Sequence, residues 1–382
     1  MPFWMLLLVG LAALAVIQFL HFVAVLAWED QRTVGTEYYG LPPRERARFK
    51  RVLKLHARIL RPILRLIVRP GTFTFDKGTF REAGVPGPKG TCTPDSFASG
   101  MAYQPRPDDV FVVTQMKCGT TWMQHVVFQV LHRGDGDLVE TGRTLYGVSP
   151  WLEARKSVGV EDAPLLGEER PSRIIKTHLP VSACPFSESA RYIYVARHPV
   201  SCFASCLDFL NANLGRATPT LSEAEAWFCS DDDMWWGTWA SHVAGWWKQS
   251  QGHQNVLFVR FEDMKRDLPG VVRQVAEFLG VRPLTEQEIN RVVEKCGFAY
   301  MQRHSEAFEM HPPHLLATEA RLFVKGTASR HRDVPSDARS RISACVADQA
   351  STEGFPISSH YPDVQADSPA LEGSRTLSPD AE

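Results

Sequence analysis

The chain has 382 residues, of which 44% are hydrophobic and 22% are charged, and its formal net charge is −1. This length can hold two average domains or one large α/β domain with appendages. A nearly neutral chain has no global field that attracts nucleic acid, so no nucleic-acid partner is expected. The eight cysteines show no zinc-ribbon or CxxC spacing. We therefore expect no metal site and interpret the cysteines as reduced, buried thiols.

The chain begins with an apolar stretch, residues 3–28, that is interrupted only by Gln18 and His21. At a rise of about 1.5 Å per residue, a helix of this length exceeds the hydrocarbon core of a bilayer, which is about 30 Å thick. We assign residues 1–30 to a transmembrane anchor. A cleaved signal peptide is the alternative, and it is disfavoured because the run is long and no Lys or Arg precedes it.

A basic amphipathic segment follows at residues 44–69. It contains many Arg and Lys residues against one acid, Glu45, and its apolar residues recur at helical spacing. Pro62 should kink this helix or split it in two. A basic helix beside an anchor suits the anionic cytoplasmic leaflet, and the positive-inside rule then places the rest of the chain in the cytosol. Two alternatives stay open: packing of the helix on the domain with a solvated basic face, and a Golgi-lumenal orientation.

The rest of the chain divides by composition. Within the juxtamembrane region 31–107, residues 71–107 are rich in Gly, Pro and Thr and predict a loop that leads into the domain. Residues 346–382 are interpreted as a C-terminal extension whose tail is disordered from about residue 362.

The compact domain is placed at residues 108–345, because strand-like and helical patterns alternate there. The strand-like runs are residues 110–113, 174–175, 192–196 and 256–259, and the helical patterns are residues 122–131, 240–247 and 271–279. The alternation predicts an α/β fold: a single three-layer domain with a central parallel sheet flanked by helices, P-loop-kinase-like, in addition to the N-terminal transmembrane helix.

The first strand leads into an anion-binding pattern, Lys117-Cys118-Gly119-Thr120-Thr121-Trp122. A strand, a short turn and a helix N-terminus bring backbone N–H groups together, and the helix dipole favours negative charge. Gly119 allows close backbone approach, and Lys117 supplies a point charge. The GxxxxGK[ST] spacing of a nucleoside triphosphatase is missing. The bland alternative is that Thr120 and Thr121 cap a helix.

Five segments occur in a fixed order along the chain. They are Lys117-Cys118-Gly119-Thr120-Thr121-Trp122, Ile174-Ile175-Lys176-Thr177-His178-Leu179-Pro180, Tyr194-Val195-Ala196-Arg197-His198-Pro199, Phe261-Glu262-Asp263-Met264 and Val324-Lys325-Gly326. Together they resemble the motifs of the cytosolic-type sulfotransferase family, and the resemblance spans about residues 108–345.

The resemblance implies an enzyme that moves a sulfuryl group from 3′-phosphoadenosine-5′-phosphosulfate to a hydroxyl or amine, releasing adenosine 3′,5′-bisphosphate without a prosthetic group. It casts His178 as the general base, because an imidazole suits proton removal at neutral pH. Lys117 would stabilise the departing phosphate and Lys176 would polarise the transferred group.

The resemblance also implies a donor site. The loop from Lys117 through Cys118, Gly119, Thr120 and Thr121 would hold the 5′-phosphosulfate. Arg197 and Ser205 would bind the 3′-phosphate, and Trp122 and Phe298 would sandwich the adenine. The remaining implied donor residues are Phe261, Cys296, Met301, Lys325 and Gly326.

Several positions depart from the family pattern. Met116 stands for a proline, Cys118 for a serine, Phe261 for a tyrosine and Val324 for an arginine, and Cys296-Gly297 stands for Thr-Ser. A lost donor contact costs about 1–3 kcal/mol if nothing replaces it. The candidates to replace it are Arg321, Arg330 and Lys325.

These departures keep a second function open, a catalytically silent, membrane-tethered nucleotide-binding relative. A nucleotide-kinase-like phosphotransferase is a third alternative. The partners considered are a small lipophilic acceptor, the membrane and a second copy of the chain in a homodimer.

Overall fold

The computed structural model describes residues 2–34, 37–310, 312–316 and 330–364. The strands are β1 (Thr79–Glu82), β2 (Val85–Pro88), β3 (Asp109–Val113), β4 (Arg173–Thr177), β5 (Arg191–Ala196) and β6 (Val256–Arg260). The helices up to the middle of the chain are α1 (Phe3–Thr33), α2 (Glu37–Gly40), α3 (Pro43–Ile59), α4 (Arg61–Ile67), α5 (Phe75–Gly78), α6 (Pro94–Met101), α7 (Thr120–Leu131) and α8 (Leu145–Val148). The later helices are α9 (Pro199–Leu214), α10 (Leu221–Phe228), α11 (Trp239–Gly252), α12 (Phe261–Arg266), α13 (Leu268–Leu279), α14 (Glu286–Lys295), α15 (Phe298–Arg303), α16 (Ser336–Thr352) and α17 (Ile357–His360).

The centre of the domain is a parallel sheet with the strand order β4-β3-β5-β6. Every residue of β3 and β4 is buried. A strand that is covered on both faces needs apolar residues at consecutive positions, which explains the unbroken apolar runs in the sequence. The expected parallel sheet flanked by helices is confirmed.

Two apolar cores lie on the two faces of this sheet. Val110 and Val112 of β3 belong to one core, and Phe111 and Val113 belong to the other, because successive side chains of a strand point to opposite faces. Helices α7, α13 and α14 contribute to the first core, and α9, α11 and α16 contribute to the second. The domain therefore has three layers.

The N-terminal helix α1 has 31 residues and is long and apolar enough to cross a membrane. Its first two turns and most of its length are exposed, whereas Val25, Glu29 and Thr33 near its end are buried against the domain. The basic segment forms α3 and α4, which break at Leu60, immediately before Arg61 and Pro62. The break fits the prediction that Pro62 would split this helix.

Residues 71–107 differ from the predicted loop. They contain α5, the antiparallel hairpin β1–β2 and α6. The Phe75 ring stacks on the Trp227 ring at 4.5 Å, and Phe97 is fully buried. The prediction was wrong because the strand Val85–Pro88 carries Gly and Pro in place of alternating apolar residues, so its pairing and burial leave no periodic signal.

The C-terminal part of the domain extends past the predicted boundary at residue 345. Helices α16 and α17 pack on the sheet domain, and Tyr361 and Val364 belong to its core. The rest of the predicted disordered tail, residues 365–382, lies outside the described residues.

One cysteine pair corrects the expectation of reduced thiols. Cys229 and Cys345 form a disulfide with a Cα–Cα distance of 6.5 Å, and the other six cysteines are free and buried. The two partners are 116 residues apart, so no local spacing reveals their pairing.

Candidate active site

The candidate residues meet at one edge of the sheet. Thr114, His178, Arg197 and Phe261 each directly follow the last residue of β3, β4, β5 or β6. Because all four strands are parallel, their carboxyl ends lie at the same edge. Ligands bind at this edge in open α/β sheets, close to the point where the strand order reverses.

The phosphate-loop prediction rests on the turn between β3 and α7. Lys117 and Gly119 both have positive φ, at 64° and 107°. A Cβ atom at Gly119 would lie 2.7 Å from Cδ2 of Phe261, so this position needs glycine both for its backbone angle and for its contact. The turn delivers the chain into the N-terminus of the twelve-residue helix α7, where free N–H groups favour an anion.

The side chains of the loop are engaged within the protein. The Thr120 and Thr114 hydroxyl oxygens lie 2.6 Å apart, and the Thr121 hydroxyl lies 2.8 Å from the Tyr146 hydroxyl. Gly119 is the N-cap of α7 and has no side chain, so neither threonine caps the helix. Cys118 is fully buried with its Sγ 3.7 Å from Sγ of Cys202. An anion bound at this loop would therefore contact its backbone N–H groups and the Lys117 side chain.

Three basic side chains, those of Lys117, Lys176 and Arg197, lie around this loop and make few hydrogen bonds within the protein. The Lys117 Nζ atom lies 4.9 Å from the Phe209 ring centroid, and Lys176 Nζ lies 3.2 Å from the Trp151 ring centroid. Among the described residues, no hydrogen-bond partner contacts Lys176 Nζ or Arg197 Nε, and both atoms are buried. Burial lowers the pKa of all three groups, and that of Lys176 falls furthest below its ordinary value. A bound polyanion would supply the missing partners, so these residues fit a phosphosulfate donor.

Arg197 ties the loop to the far strand. Its Nη1 atom donates to the carbonyl of Lys117 at 3.0 Å, and its guanidinium carbon lies 4.4 Å from the Phe261 ring centroid. A guanidinium over an aromatic face is held by a cation–π interaction. The Phe261 ring therefore helps to hold the Arg197 guanidinium at this edge of the sheet.

His178 is almost fully buried beside the phosphate loop, and its Nδ1 atom lies 2.8 Å from the carbonyl oxygen of Thr114. A carbonyl oxygen only accepts, so the proton sits on Nδ1 and Nε2 keeps a lone pair. Burial lowers the pKa of His178 well below its ordinary value, and the nearby positive charge of Lys176 adds to the effect. The ring is therefore neutral at physiological pH.

Two residues that sequence reasoning missed hold His178 in place. Glu153 is fully buried and accepts from the backbone N–H of His178 and from the Thr177 hydroxyl, both at 2.8 Å. His242 donates from Nε2 to the carbonyl of His178 at 2.8 Å, and its Nδ1 accepts from the Tyr194 hydroxyl at 2.9 Å. Neither residue lies in a recognised motif, and no sequence signal could have identified their role.

The structure brings together some of the residues that are predicted to bind the adenine. Trp122 donates from Nε1 to the carbonyl of Cys296 at 2.8 Å, and its ring meets Phe261 edge-to-face at 5.4 Å. Met301 is buried in α15, which begins at Phe298.

At the predicted 3′-phosphate site, Val324 stands where the family pattern has an arginine. Arg330 is the one candidate replacement that lies within the described residues. Ser205 lies half-buried on α9, which starts two residues after Arg197. Arg330 is buried, pairs with Asp208 at 2.6 Å and Asp333 at 3.0 Å, and lies close enough to lower the pKa of Arg197. The predicted residues Lys325 and Gly326, with Arg321 and Val324, lie outside the described residues.

Sequence comparisons connect this geometry to known proteins. Residues 107–333 match the model of the family described as sulfotransferase domain. Rat sulfotransferase 2B1 is 30% identical over 252 residues, which cover 64% of this chain and 72% of that protein. Human sulfotransferase 1C2 is 29% identical over 218 residues, which cover 56% of this chain and 72% of that protein.

Solved structures show the same fold. A retinol dehydratase in complex with androsterone and the inactive cofactor PAP aligns with a TM-score of 0.56 at 19% identity, covering 72% of this chain and 92% of its own. A mouse sulfotransferase, SULT7A1, complexed with PAP, aligns with a TM-score of 0.52 at 19% identity, covering 72% of this chain and 96% of its own.

Proposed function

This chain belongs to the sulfotransferase family and uses 3′-phosphoadenosine-5′-phosphosulfate as its donor, and we propose that His178 is the general base for transfer to a hydroxyl or amine acceptor. The observation that carries the proposal is the juxtaposition of a neutral imidazole with a phosphate loop and unpartnered buried cations. His178 reaches the loop through Thr114, whose carbonyl fixes the ring and whose hydroxyl contacts Thr120.

The proposed reaction is an in-line displacement at sulfur. When bound, the donor supplies the sulfuryl group, whose bond to the bridging phosphate oxygen breaks as the acceptor oxygen or nitrogen forms a bond to sulfur. Nε2 of His178 takes the proton of the acceptor as this bond forms. Lys117 stabilises the negative charge that develops on the departing phosphate, and Lys176 stabilises the sulfuryl oxygens.

Burial of the cations supports these roles. Water is excluded around Lys176, which is fully buried, and an electrostatic contact is stronger in such a site than in water. Glu153 and His242 hold the backbone of His178, and the Thr114 carbonyl holds its ring, so little reorganisation is needed at the moment of reaction.

The acceptor is proposed to be small and lipophilic. The helix α1 places the domain beside a membrane if it spans one, and a lipophilic compound partitions into that membrane. The aromatic residues Trp151 and Trp236 contact the His178 ring, with centroid distances of 5.2 and 4.8 Å, and would offer apolar walls to such an acceptor.

A silent nucleotide-binding relative is the second candidate, and the missing hydroxyl at Phe261 is what favours it. Calorimetric titration of the full-length protein in detergent with adenosine 3′,5′-bisphosphate and with ATP separates the candidates. A parallel assay follows radiolabelled sulfate from the donor to a panel of phenols, sterols and amines.

Tight bisphosphate binding together with a sulfated product is the expected result. No binding at millimolar bisphosphate would contradict donor use. Binding without transfer to any acceptor would favour the silent relative, and a preference for ATP would favour a phosphotransferase.

The proposed location is a single membrane span with the domain on the cytosolic face, supported by the basic helices α3 and α4. The disulfide between Cys229 and Cys345 favours the opposite, oxidising side, because disulfides persist there. Protease added outside intact microsomes should digest a cytosolic domain. Protection of the domain would assign it to the lumen.

A further inference from the structure

A basic groove separates the juxtamembrane helices from two short segments of the catalytic domain. It has a volume of about 750 Å³, and its walls are α3 and α4 on one side and residues 214–216 and 315–316 on the other. Its basic lining residues are Arg51, Lys54, Arg58, Arg61, Arg65 and Arg216. Among the described residues, no acidic side chain lines it.

The arginines of this basic groove lack acidic partners among the described residues. Arg51, Arg58, Arg61, Arg65 and Arg216 form no ion pair there and donate no hydrogen bond to a carboxylate. Elsewhere on the domain, arginines such as Arg133 and Arg341 pair with carboxylates. Like charges gathered in one concavity repel each other and raise the local concentration of anions.

The packing of α3 fixes the direction in which Arg51 and Arg58 point. Phe49 and Leu53 are buried in the core beneath the helix. Lys50 pairs with Glu309 at 3.1 Å, and Arg46 donates to the carbonyl of Gly142 at 2.9 Å. The groove is therefore a built feature of the domain surface rather than one face of a loose helix.

The same helix runs back along the predicted membrane span. The Trp28 ring stacks on the Phe49 ring at 5.0 Å, and Nε2 of His21 lies 3.0 Å from Nδ1 of His56. A later residue of α1 thus meets an earlier residue of α3, so the two helices are antiparallel. The contact between His21 and His56 therefore places the end of α3 beside the middle of α1.

The helices α3 and α4 also carry exposed apolar residues. Leu55, Ile59, Leu66 and Ile67 are between 43% and 64% exposed. Arginine guanidinium groups beside exposed apolar side chains at the end of a membrane span match the chemistry of a lipid headgroup above its acyl chains. A free phosphate would use only the charge and would gain nothing from the apolar surface.

We propose that the basic groove binds the phosphate headgroup of an anionic membrane phospholipid, with the acyl chains lying along α1 and α4. This site is distinct from the donor site and does not rest on the sulfuryl chemistry. It rests on the membrane span proposed for α1. Nearby basic residues are attracted to an anionic surface, and a groove adds defined contacts to that general attraction.

The full-length protein in a neutral detergent provides the test. Thermal unfolding is measured with dihexanoyl phosphatidylglycerol, with dihexanoyl phosphatidylcholine and with inorganic phosphate at equal concentrations. A ligand that binds only the folded state raises the melting temperature. We expect phosphatidylglycerol to raise it by several degrees, and the other two compounds to leave it almost unchanged.

Matched double variants locate the effect. Arg58→Gln with Arg61→Gln should weaken apparent phosphatidylglycerol binding at least tenfold. Arg44→Gln with Arg48→Gln removes equal charge from α3 outside the groove and should leave this binding intact. Arg216→Gln on the opposite wall should weaken binding too, and it does not depend on the folding of α3.

The proposal is overturned by an equal rise with phosphatidylcholine, by a rise with inorganic phosphate alone, or by unchanged binding in both groove variants. Equal weakening by the Arg44 and Arg48 substitutions would also overturn it, because diffuse surface charge would then explain the binding.

Discussion

The Nδ1 atom of His178 lies 2.8 Å from the carbonyl oxygen of Thr114, and the hydroxyl of the same threonine lies 2.6 Å from that of Thr120, the first residue of α7. One residue at the end of β3 therefore connects the proposed base to the phosphate loop. The distance between these two parts of the site is set by the register of β3 and β4, which pairs Val113 with Thr177.

Gly119→Ala tests the phosphate loop. The new Cβ would combine a φ of 107° with a 2.7 Å approach to the Phe261 ring, so the loop must shift and Arg197 must lose its contact. We expect the dissociation constant for adenosine 3′,5′-bisphosphate to rise at least tenfold, measured by calorimetry. Gly90→Ala is the control, because its φ of 96° imposes similar strain where no atom lies within 4 Å. Equal donor affinity in the two variants would count against this loop as the donor site.

Lys176→Met tests the role of a buried cation. The ammonium has no hydrogen-bond partner among the described residues and lies against Trp151. Its removal should leave the melting temperature equal or higher, because burying an ammonium without a hydrogen-bond partner is costly. The transfer rate should fall by about 100-fold or more, since a preorganised charge is lost. Lys77→Met at an exposed site should change neither quantity. A rate within a few fold of wild type would remove Lys176 from the mechanism.

Glu153→Gln tests the support of the proposed base. An amide has one acceptor oxygen and one NH₂ group, so one of the two donors, the His178 N–H or the Thr177 hydroxyl, faces a donor instead. We expect a loss of about 1–3 kcal/mol in unfolding free energy and a lower kcat, with unchanged donor affinity. Glu161→Gln breaks an exposed pair with Arg106 and should cost less than about 1 kcal/mol. A lower donor affinity with unchanged kcat would show that Glu153 serves the donor instead.

Acid should destabilise the protein through its buried imidazoles. Burial lowers the pKa of His125 to about 3 and that of His242 to about 4, whereas unfolded imidazoles titrate near about 6.5. Below that pH the unfolded state binds more protons, so the stability present above it is lost as the pH falls.

His125→Phe isolates one of these groups. Neither ring nitrogen has a hydrogen-bond partner among the described residues, and the ring stacks on Phe128 and meets Phe308 edge-to-face. Relative to wild type, the unfolding free energy of the variant should be roughly 2 kcal/mol more favourable at pH 5 than it is at pH 8. Melting curves at both values provide the measurement, and an identical difference at the two values would contradict the titration of His125.

The regular elements of the catalytic domain were predictable because their signals are local. Buried parallel strands need consecutive apolar residues, and the helix predicted at residues 271–279 emerges as Leu268–Leu279 with its apolar face in the core. The hairpin β1–β2 was not predictable, because it is stabilised by distant partners such as Trp235, whose Nε1 donates to the Thr79 hydroxyl at 2.9 Å, rather than by its own pattern.

The site shows the same division. His178, Lys117 and Arg197 stand directly after strands, where chemistry-bearing residues are expected, and the motifs identify them. Glu153 lies 25 residues from His178 and His242 lies 64 residues from it, and only the folded sheet brings them together. Sequence reasoning found the groups proposed to react but not the groups that orient them.

The most direct test of the proposed mechanism is the sulfate-transfer rate of full-length His178→Ala, measured with radiolabelled donor beside its affinity for adenosine 3′,5′-bisphosphate. Loss of a positioned general base should reduce the rate by about 100-fold to 10,000-fold. Donor affinity should remain within about twofold, because nothing in the proposed role of His178 holds the donor. A rate within tenfold of wild type, or an equal loss of bisphosphate affinity, would contradict the assignment of His178 as the base.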